Sequence, residues 1–153
     1  MKSLLVTGGA GFIGANFINY FLGTYDSYKI INLDKLTYAS NISFINQELN
    51  HGNYVFIEGD ICDTNLVDSL FKTYSPIGII HFAAESHVDN SILGPRDFIK
   101  TNIEGTFNLI DIAKKHWGNN SEHRFHHVST DEVYGPIESG LMNEFSKYSP
   151  SSP

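Results

Sequence analysis

The chain carries a single cysteine, Cys62, among its 153 residues. One thiol rules out an internal disulfide and any zinc site built on several cysteines. Positive charge is scarce as well: 10 Lys and Arg against 17 Asp and Glu give a formal charge of -7. Binding to nucleic-acid phosphates requires a concentrated basic patch, so nucleic acid is not the main partner. No apolar run is long enough to span a bilayer, and the charged, apolar and small-residue pattern of a signal peptide is missing. This reads as no membrane association and a cytoplasmic protein. Low-complexity tracts and repeats of fixed period are absent too. Seven histidines are present, but none forms an i, i+4 pair beside a carboxylate on a helix. No metal site is expected, and the adjacent His126 and His127 face opposite ways along a strand.

What remains is a chain of about one domain, which at this length buries roughly 68 to 70% of the surface its unfolded form exposes. SLLVT (3–7) is a short apolar run ending in glycines, as a buried parallel strand does. From Phe12 the residues Ile13, Phe17 and Phe21 recur at helical spacing, and Gly23 closes that helix. KIINLD (29–34) and NYVFIEGD (53–60) read as the second and third strands, separated by a polar loop with room for a short helix. Residues 64–74 predict a helix with Leu66, Leu70 and Phe71 on one face, and GIIHFAA (78–84) a fourth strand. Pro95 opens the longest helix, in which Ile99, Ile103, Phe107, Ile110 and Trp117 follow the 3.6 period; RFHHVST (124–130) is the fifth strand. Alternating strands and helices predict a parallel, doubly wound α/β sheet of Rossmann type, because parallel neighbours need a crossover and helices supply it.

Such sheets bind ligands beyond the carboxyl ends of their strands, where strand order reverses. The first strand ends in TGGAGFIG (7–14), with Gly8, Gly11 and Gly14 at three-residue spacing. Glycines permit a tight turn and close approach of a pyrophosphate, which then sits at the positive end of the following helix. The second strand ends in Asp34, 20 residues beyond Gly14, where a dinucleotide fold places an acid against the adenine ribose 2′-hydroxyl. A charge-assisted bond of that kind is worth roughly 1.5–3 kcal/mol, and the same carboxylate repels a 2′-phosphate, which favours NAD over NADP. Asp60 and Ile61, after the third strand, then fall near the adenine. Asp131 and Glu132 stand side by side after the fifth strand. Adjacent residues of an extended strand point to opposite faces, so the two acids converge only if the strand has ended and the chain has begun to turn.

Six stretches, TGGAGFIG, LDKLTYA (33–39), GDICD (59–63), HFAAESHVDNSI (81–92), TNIEGT (101–106) and FHHVSTDEVYG (125–135), together resemble the extended short-chain dehydrogenase/reductase family, and most closely its nucleotide-sugar 4,6-dehydratases. The resemblance implies tightly bound NAD and conversion of dTDP-glucose to its 4-keto-6-deoxy product. It implies that Phe12 and Ile13 meet the pyrophosphate through their backbone, and that Asp34, Lys35 and Thr37 hold the ribose. Phe82, Ala83 and Ala84 would line the cofactor channel, Thr101 would stand near the nicotinamide half, and Ser86 and His87 near the sugar or its phosphates. For Thr101 and Asn102 a helix-interior pair bonding the backbone is an equal alternative.

By the same resemblance Asp131 is the general acid, Glu132 the base, and Thr130 the donor to the C4 oxygen. Tyr134 packs or faces the sugar. Once C4 is a ketone, the C5 proton is acidic enough for a carboxylate to remove, while the C6 hydroxyl needs a proton as it leaves. Two carboxyl groups held close together ionise one after the other, so one can stay an acid while its neighbour is a base. The family's Tyr-x-x-x-Lys would begin immediately after SPSSP, together with a sixth strand and a smaller substrate domain. Loss of a general base costs roughly 10²- to 10⁴-fold, so residues 1–153 read as the truncated, NAD-binding amino-terminal domain of an enzyme, inactive alone. Relatives pair through helices, which implies a homodimer at full length. The alternatives are a UDP-sugar 4-epimerase or another nucleotide-sugar enzyme of the family, whose members usually carry small or hydroxylic residues at the twin acids, and an NAD-binding fragment without activity.

Overall fold

The computed structural model describes residues 1–46 and 52–151. One sheet of five parallel strands carries the chain: β1 (Lys2–Thr7), β2 (Tyr28–Asp34), β3 (Tyr54–Glu58), β4 (Gly78–His81) and β5 (Arg124–His127), in the order β3-β2-β1-β4-β5. Helix α1 (Phe12–Thr24) crosses from β1 to β2, and α2 (Thr64–Tyr74) from β3 to β4. Between β4 and β5 run α3 (Val88–Leu93), α4 (Pro95–Phe98), a π-helical stretch (Ile99–Gly105) and α5 (Thr106–Trp117). The order reverses between β1 and β4, which is the doubly wound arrangement expected from the alternation of strands and helices. The short helix anticipated between β2 and β3 is a 3-10 turn at Ile42–Phe44, capped by the Asn41 side chain. Residues 47–51 of that loop lie outside the described residues.

Three strands are shorter than their apolar runs. Gly8 turns the chain out of β1 at a positive φ of 71°, and β4, in register with β1 from Leu4↔Gly78 to Thr7↔His81, ends where β1 ends. β5 has β4 as its neighbour and stops at His127, opposite His81. β3 likewise ends at Glu58, opposite Asp34 at the end of β2. Ladder length is therefore set by the partner, so GIIHFAA, RFHHVST and NYVFIEGD each release their last residues as loop. Helix α1 runs one residue past Gly23, with Tyr25 as its cap.

The core has two layers. On one face Leu5, Ile31, Leu33 and Ile79 pack against Val67, Leu70 and Phe71 of α2 and Leu109, Ile112 and Ala113 of α5. On the other, Val6 and Ile30 pack against Ala15, Ile18 and Leu22 of α1. Each fully buried aliphatic side chain contributes about 1.5–3 kcal/mol of transfer free energy. The stripe Ile99, Ile103, Phe107 and Ile110 lies on the outer face instead, 50%, 63%, 67% and 47% exposed. Trp117 is turned inward, its indole N–H donating to the Pro76 carbonyl at 2.7 Å. The long helix has two apolar faces, and the sheet takes only one. Among the described residues, no helix is long and apolar enough to cross a membrane.

Candidate dinucleotide and acid-base site

The carboxyl ends of the strands open onto a crevice of about 820 Å³ at the reversal of strand order. Its floor is the glycine turn. A Cβ on Gly8 would lie 2.5 Å from the Ala83 amide nitrogen, so the turn after β1 and the Phe82–Ala84 segment after β4 are in backbone contact. The Phe82 N–H donates to the Thr7 carbonyl at 2.9 Å and holds this approach, while Gly8 N–H donates to the Leu33 carbonyl of β2 at 3.0 Å. Helix α1 then presents its amino terminus to the crevice, with Phe12 and Ile13 exposed there.

Asp34 closes β2 and is buried. One of its oxygens accepts from the Ala10 amide at 2.9 Å, and the other from the Leu36 amide at 2.9 Å and the Ser40 hydroxyl at 2.8 Å. A carboxylate offers about four acceptor positions, so three are occupied and one remains for an incoming hydroxyl. The neighbouring Lys35 ammonium pairs with Asp60 at 2.8 Å. Burial alone would raise the Asp60 carboxyl, but the Lys35 ammonium and the Cys62 amide outweigh it and leave the group more acidic than usual. The bond to Asp60 in turn raises Lys35. The Cys62 thiol is pushed up to about 11 by burial and by Asp60, so it stays protonated at neutral pH and is a poor nucleophile.

Behind the crevice, His81 ties three elements together. Its Nδ1 shares a hydrogen bond with Thr7 Oγ1 at 2.6 Å, and its Nε2 one with Thr106 Oγ1 at 2.9 Å. Burial, and then the nearby His127, lowers the imidazole to about 4, so it is neutral when the protein is at work. Asn102 reaches from the π-helical stretch to the segment after β4: its Oδ1 accepts from Glu85 N–H and its amide donates to the Glu85 carbonyl, both at 2.9 Å. The backbone partner is thus Glu85, and the helix itself is left unbonded by that side chain.

The twin acids do lie on a turn. β5 ends at His127, and Asp131–Tyr134 form a 3-10 turn capped by Thr130, whose Oγ1 accepts from Glu132 N–H at 3.3 Å. That hydroxyl also faces Asp131 Oδ1 at 3.3 Å. Both carboxylates are exposed. Gly8, Gly11, Phe12, Ile13 and Gly14 line the crevice with Asp34, Lys35, Thr37, Asp60 and Ile61. Phe82, Ala83, Ala84, Ser86 and Thr101 line it too, and so do Thr130, Asp131 and Glu132. His87 stands apart from that lining, exposed at the start of α3 with its ring 6.2 Å from Tyr38. Ser40, Asn102, Thr106 and His127 also face the crevice and were not singled out for it. Asn102 had a legible signal as a polar residue inside an apolar helix; Ser40 and Thr106 had none, since their partners are distant in the chain. Among the described residues, no group of three or more His, Cys, Asp or Glu could hold a metal ion.

The family described as GDP-mannose 4,6 dehydratase matches residues 5–153. The chain belongs to this family. Within it, the chain is 47% identical to the dTDP-glucose 4,6-dehydratase of Haemophilus influenzae over 100% of its own length and 47% of that protein's. Its fold superimposes on the dTDP-glucose 4,6-dehydratase DesIV from Streptomyces venezuelae, solved with NAD and TYD bound, with a TM-score of 0.88 at 41% identity, over 99% of this chain and 46% of that one. The dTDP-glucose 4,6-dehydratase of Bacillus anthracis, solved in complex with NAD, gives a TM-score of 0.85 at 40% identity, covering 100% and 46%. The chain therefore spans about half the length of the GDP-mannose 4,6 dehydratase family relatives it matches.

Proposed function

We propose that this chain is the cofactor-binding and acid-base half of a nucleotide-sugar 4,6-dehydratase that converts dTDP-glucose to dTDP-4-keto-6-deoxyglucose with tightly bound NAD. One observation carries the reading: the Gly8 turn, Asp34 and the Thr130–Asp131–Glu132 turn all open onto a single crevice. The residues fit NAD. The glycine turn is too close to Ala83 to hold a side chain, which leaves bare amides and the α1 amino terminus for a pyrophosphate. Asp34 keeps one acceptor position for a ribose hydroxyl, and its charge disfavours a 2′-phosphate. Lys35 and Thr37 flank that ribose, Asp60 and Ile61 the adenine, and Thr101 the nicotinamide half. NAD held by these residues would supply the acceptor for the C4 hydride and the donor of that hydride to C6.

The chain's own groups move the protons. Thr130 donates a hydrogen bond to the C4 oxygen, which favours the enolate that forms when the C5 proton departs. Glu132 takes that C5 proton and returns it to C5 once C6 has received the hydride. Asp131 gives its proton to the C6 hydroxyl, which leaves as water, so the sugar loses one water across C5 and C6. Ser86, which lines the crevice, faces the sugar or its phosphates, whereas His87 stands outside that lining. This reading also requires a Tyr-x-x-x-Lys to take the C4 hydroxyl proton, and the chain spans about half the length of the relatives it matches. The whole enzyme works in the cytoplasm as a homodimer, a reading supported by the exposed stripe Ile99, Ile103, Phe107 and Ile110. Incubating the full-length protein with dTDP-glucose should yield the 4-keto-6-deoxy sugar nucleotide. An unchanged substrate, or a product that retains its C6 hydroxyl and is inverted at C4, would replace this reading with an inactive binder or an epimerase.

A further inference from the structure

The segment after the twin acids is closed into a loop by a glycine. Gly135 follows the 3-10 turn with φ 75° and ψ -170°, a backbone region that essentially only glycine occupies. A Cβ there would fall 2.1 Å from the Ser149 carbonyl oxygen. The chain thus leaves the turn at Gly135, makes an excursion, and returns at Ser149 in backbone contact with its own starting point. Ser149 N–H donates to the Val133 carbonyl at 3.0 Å, Gly135 N–H donates to the Glu132 carbonyl at 3.1 Å, and the rings of Tyr134 and Tyr148 meet at 5.6 Å. Glu132 is consequently bracketed, its N–H held by Thr130 Oγ1 and its carbonyl by Gly135.

We propose that Gly135 and the Ser149 backbone form a positioning neck that sets the direction of the Asp131 and Glu132 carboxylates. Among the described residues the Asp131 carboxylate meets only the Thr130 hydroxyl, at 3.3 Å, so its placement rests on the backbone beneath it. The turn has four residues, and its outgoing end is tied by the Gly135 and Ser149 amides. A side chain at position 135 must drive either Ser149 away or the turn out of its geometry. Displacement of a reacting group by about 1 Å costs on the order of 100-fold in rate. The dinucleotide end of the crevice lies after β1, β2 and β4, and among the described residues the backbone hydrogen bonds of the neck run to Val133 and Glu132, so NAD affinity should be independent of the neck.

The kinetic arm of the test rests on the proposed dehydratase reading; the exchange arm does not. In the full-length protein Gly135→Ala should lower kcat by about 100-fold while calorimetric NAD affinity stays within about twofold. Ser149→Ala, which keeps the amide hydrogen, should retain wild-type kcat, whereas Ser149→Pro, which removes it, should reproduce the loss. Should Gly135→Ala fail to fold, Ser149→Pro reads the same neck. Amide hydrogen exchange needs no substrate: in Gly135→Ala the amides of Glu132 and Ser149 should exchange faster, with those of Gly8 and Ala10 unchanged. Unaltered exchange at Glu132, parallel loss of NAD affinity and kcat, or equal damage from Ser149→Ala and Ser149→Pro would each overturn the neck. An inert wild-type protein whose Glu132 amide is still deprotected by Gly135→Ala would sink the dehydratase reading and leave the neck standing.

Discussion

Two ends of one crevice are built to different standards. At the dinucleotide end Asp34 is buried and accepts three hydrogen bonds of 2.8–2.9 Å. At the acid-base end Asp131 and Glu132 are exposed, and the contacts around them are 3.3 Å long. The reason lies in their strands. β2 is flanked by β1 and β3 and is buried along most of its length, whereas among the described residues β5 pairs with β4 alone, leaving Arg124, His126 and His127 exposed. A carboxylate at the tip of a central strand is surrounded by the amides of neighbouring turns; at the tip of an edge strand it has neighbours on one side only. Ground-state binding can be organised in advance by a rigid centre.

The largest effect should come from the exposed end. Glu132→Gln in the full-length protein is expected to reduce kcat by roughly 10²- to 10⁴-fold and to abolish exchange of the C5 proton with solvent, with NAD affinity unchanged. Normal C5 exchange in that variant would move the base elsewhere.

His81 joins the two ends, bonded to Thr7 of β1 and lying 5.1 Å from the His127 ring of β5. Its imidazole is lowered to about 4 in the fold against 6.5 in the free residue, so the unfolded chain binds the extra proton first as pH falls. Its contribution is fully present above pH 6.5 and is lost progressively between 6.5 and about 4. Thermal or urea unfolding should record a loss on the order of 3 kcal/mol across that window, and His81→Gln should flatten the profile. An acid profile identical in the variant would separate the two ends.

The smallest change is expected at the buried carboxylate. Asp34→Ala removes the ribose acceptor and should weaken NAD binding by about 1.5–3 kcal/mol, roughly 10- to 100-fold, while narrowing the preference over NADP. Calorimetric titration of both cofactors measures it. A full loss of folding would mean that the Ala10, Leu36 and Ser40 donors matter more to the fold than to the ligand.

Much of this arrangement was legible beforehand. The spacing of Gly8, Gly11, Gly14 and Asp34 is local, and a glycine turn after a buried strand admits few structures. Strand geometry said that Asp131 and Glu132 could converge only if the chain had begun to turn, and the structure supplies that turn. The Asp34–Ser40 and His81–Thr7–Thr106 bonds and the Gly135–Ser149 neck were not legible, because each joins residues whose proximity depends on the path of the chain between them. The 3.6 period of Ile99, Ile103, Phe107 and Ile110 announced a helix, yet it could not reveal which apolar face the sheet would take.

Periodicity and glycine placement thus determined, from the residues alone, that this chain forms a parallel sheet with a glycine turn after its first strand and an acid at the end of the second. Both depend on backbone sterics and burial over a few neighbouring positions. The tertiary structure decided where β4 and β5 stop, how many acceptor positions Asp34 has left, and what holds Glu132. These are contacts between distant segments, and such contacts exist only once strand register has brought the segments together.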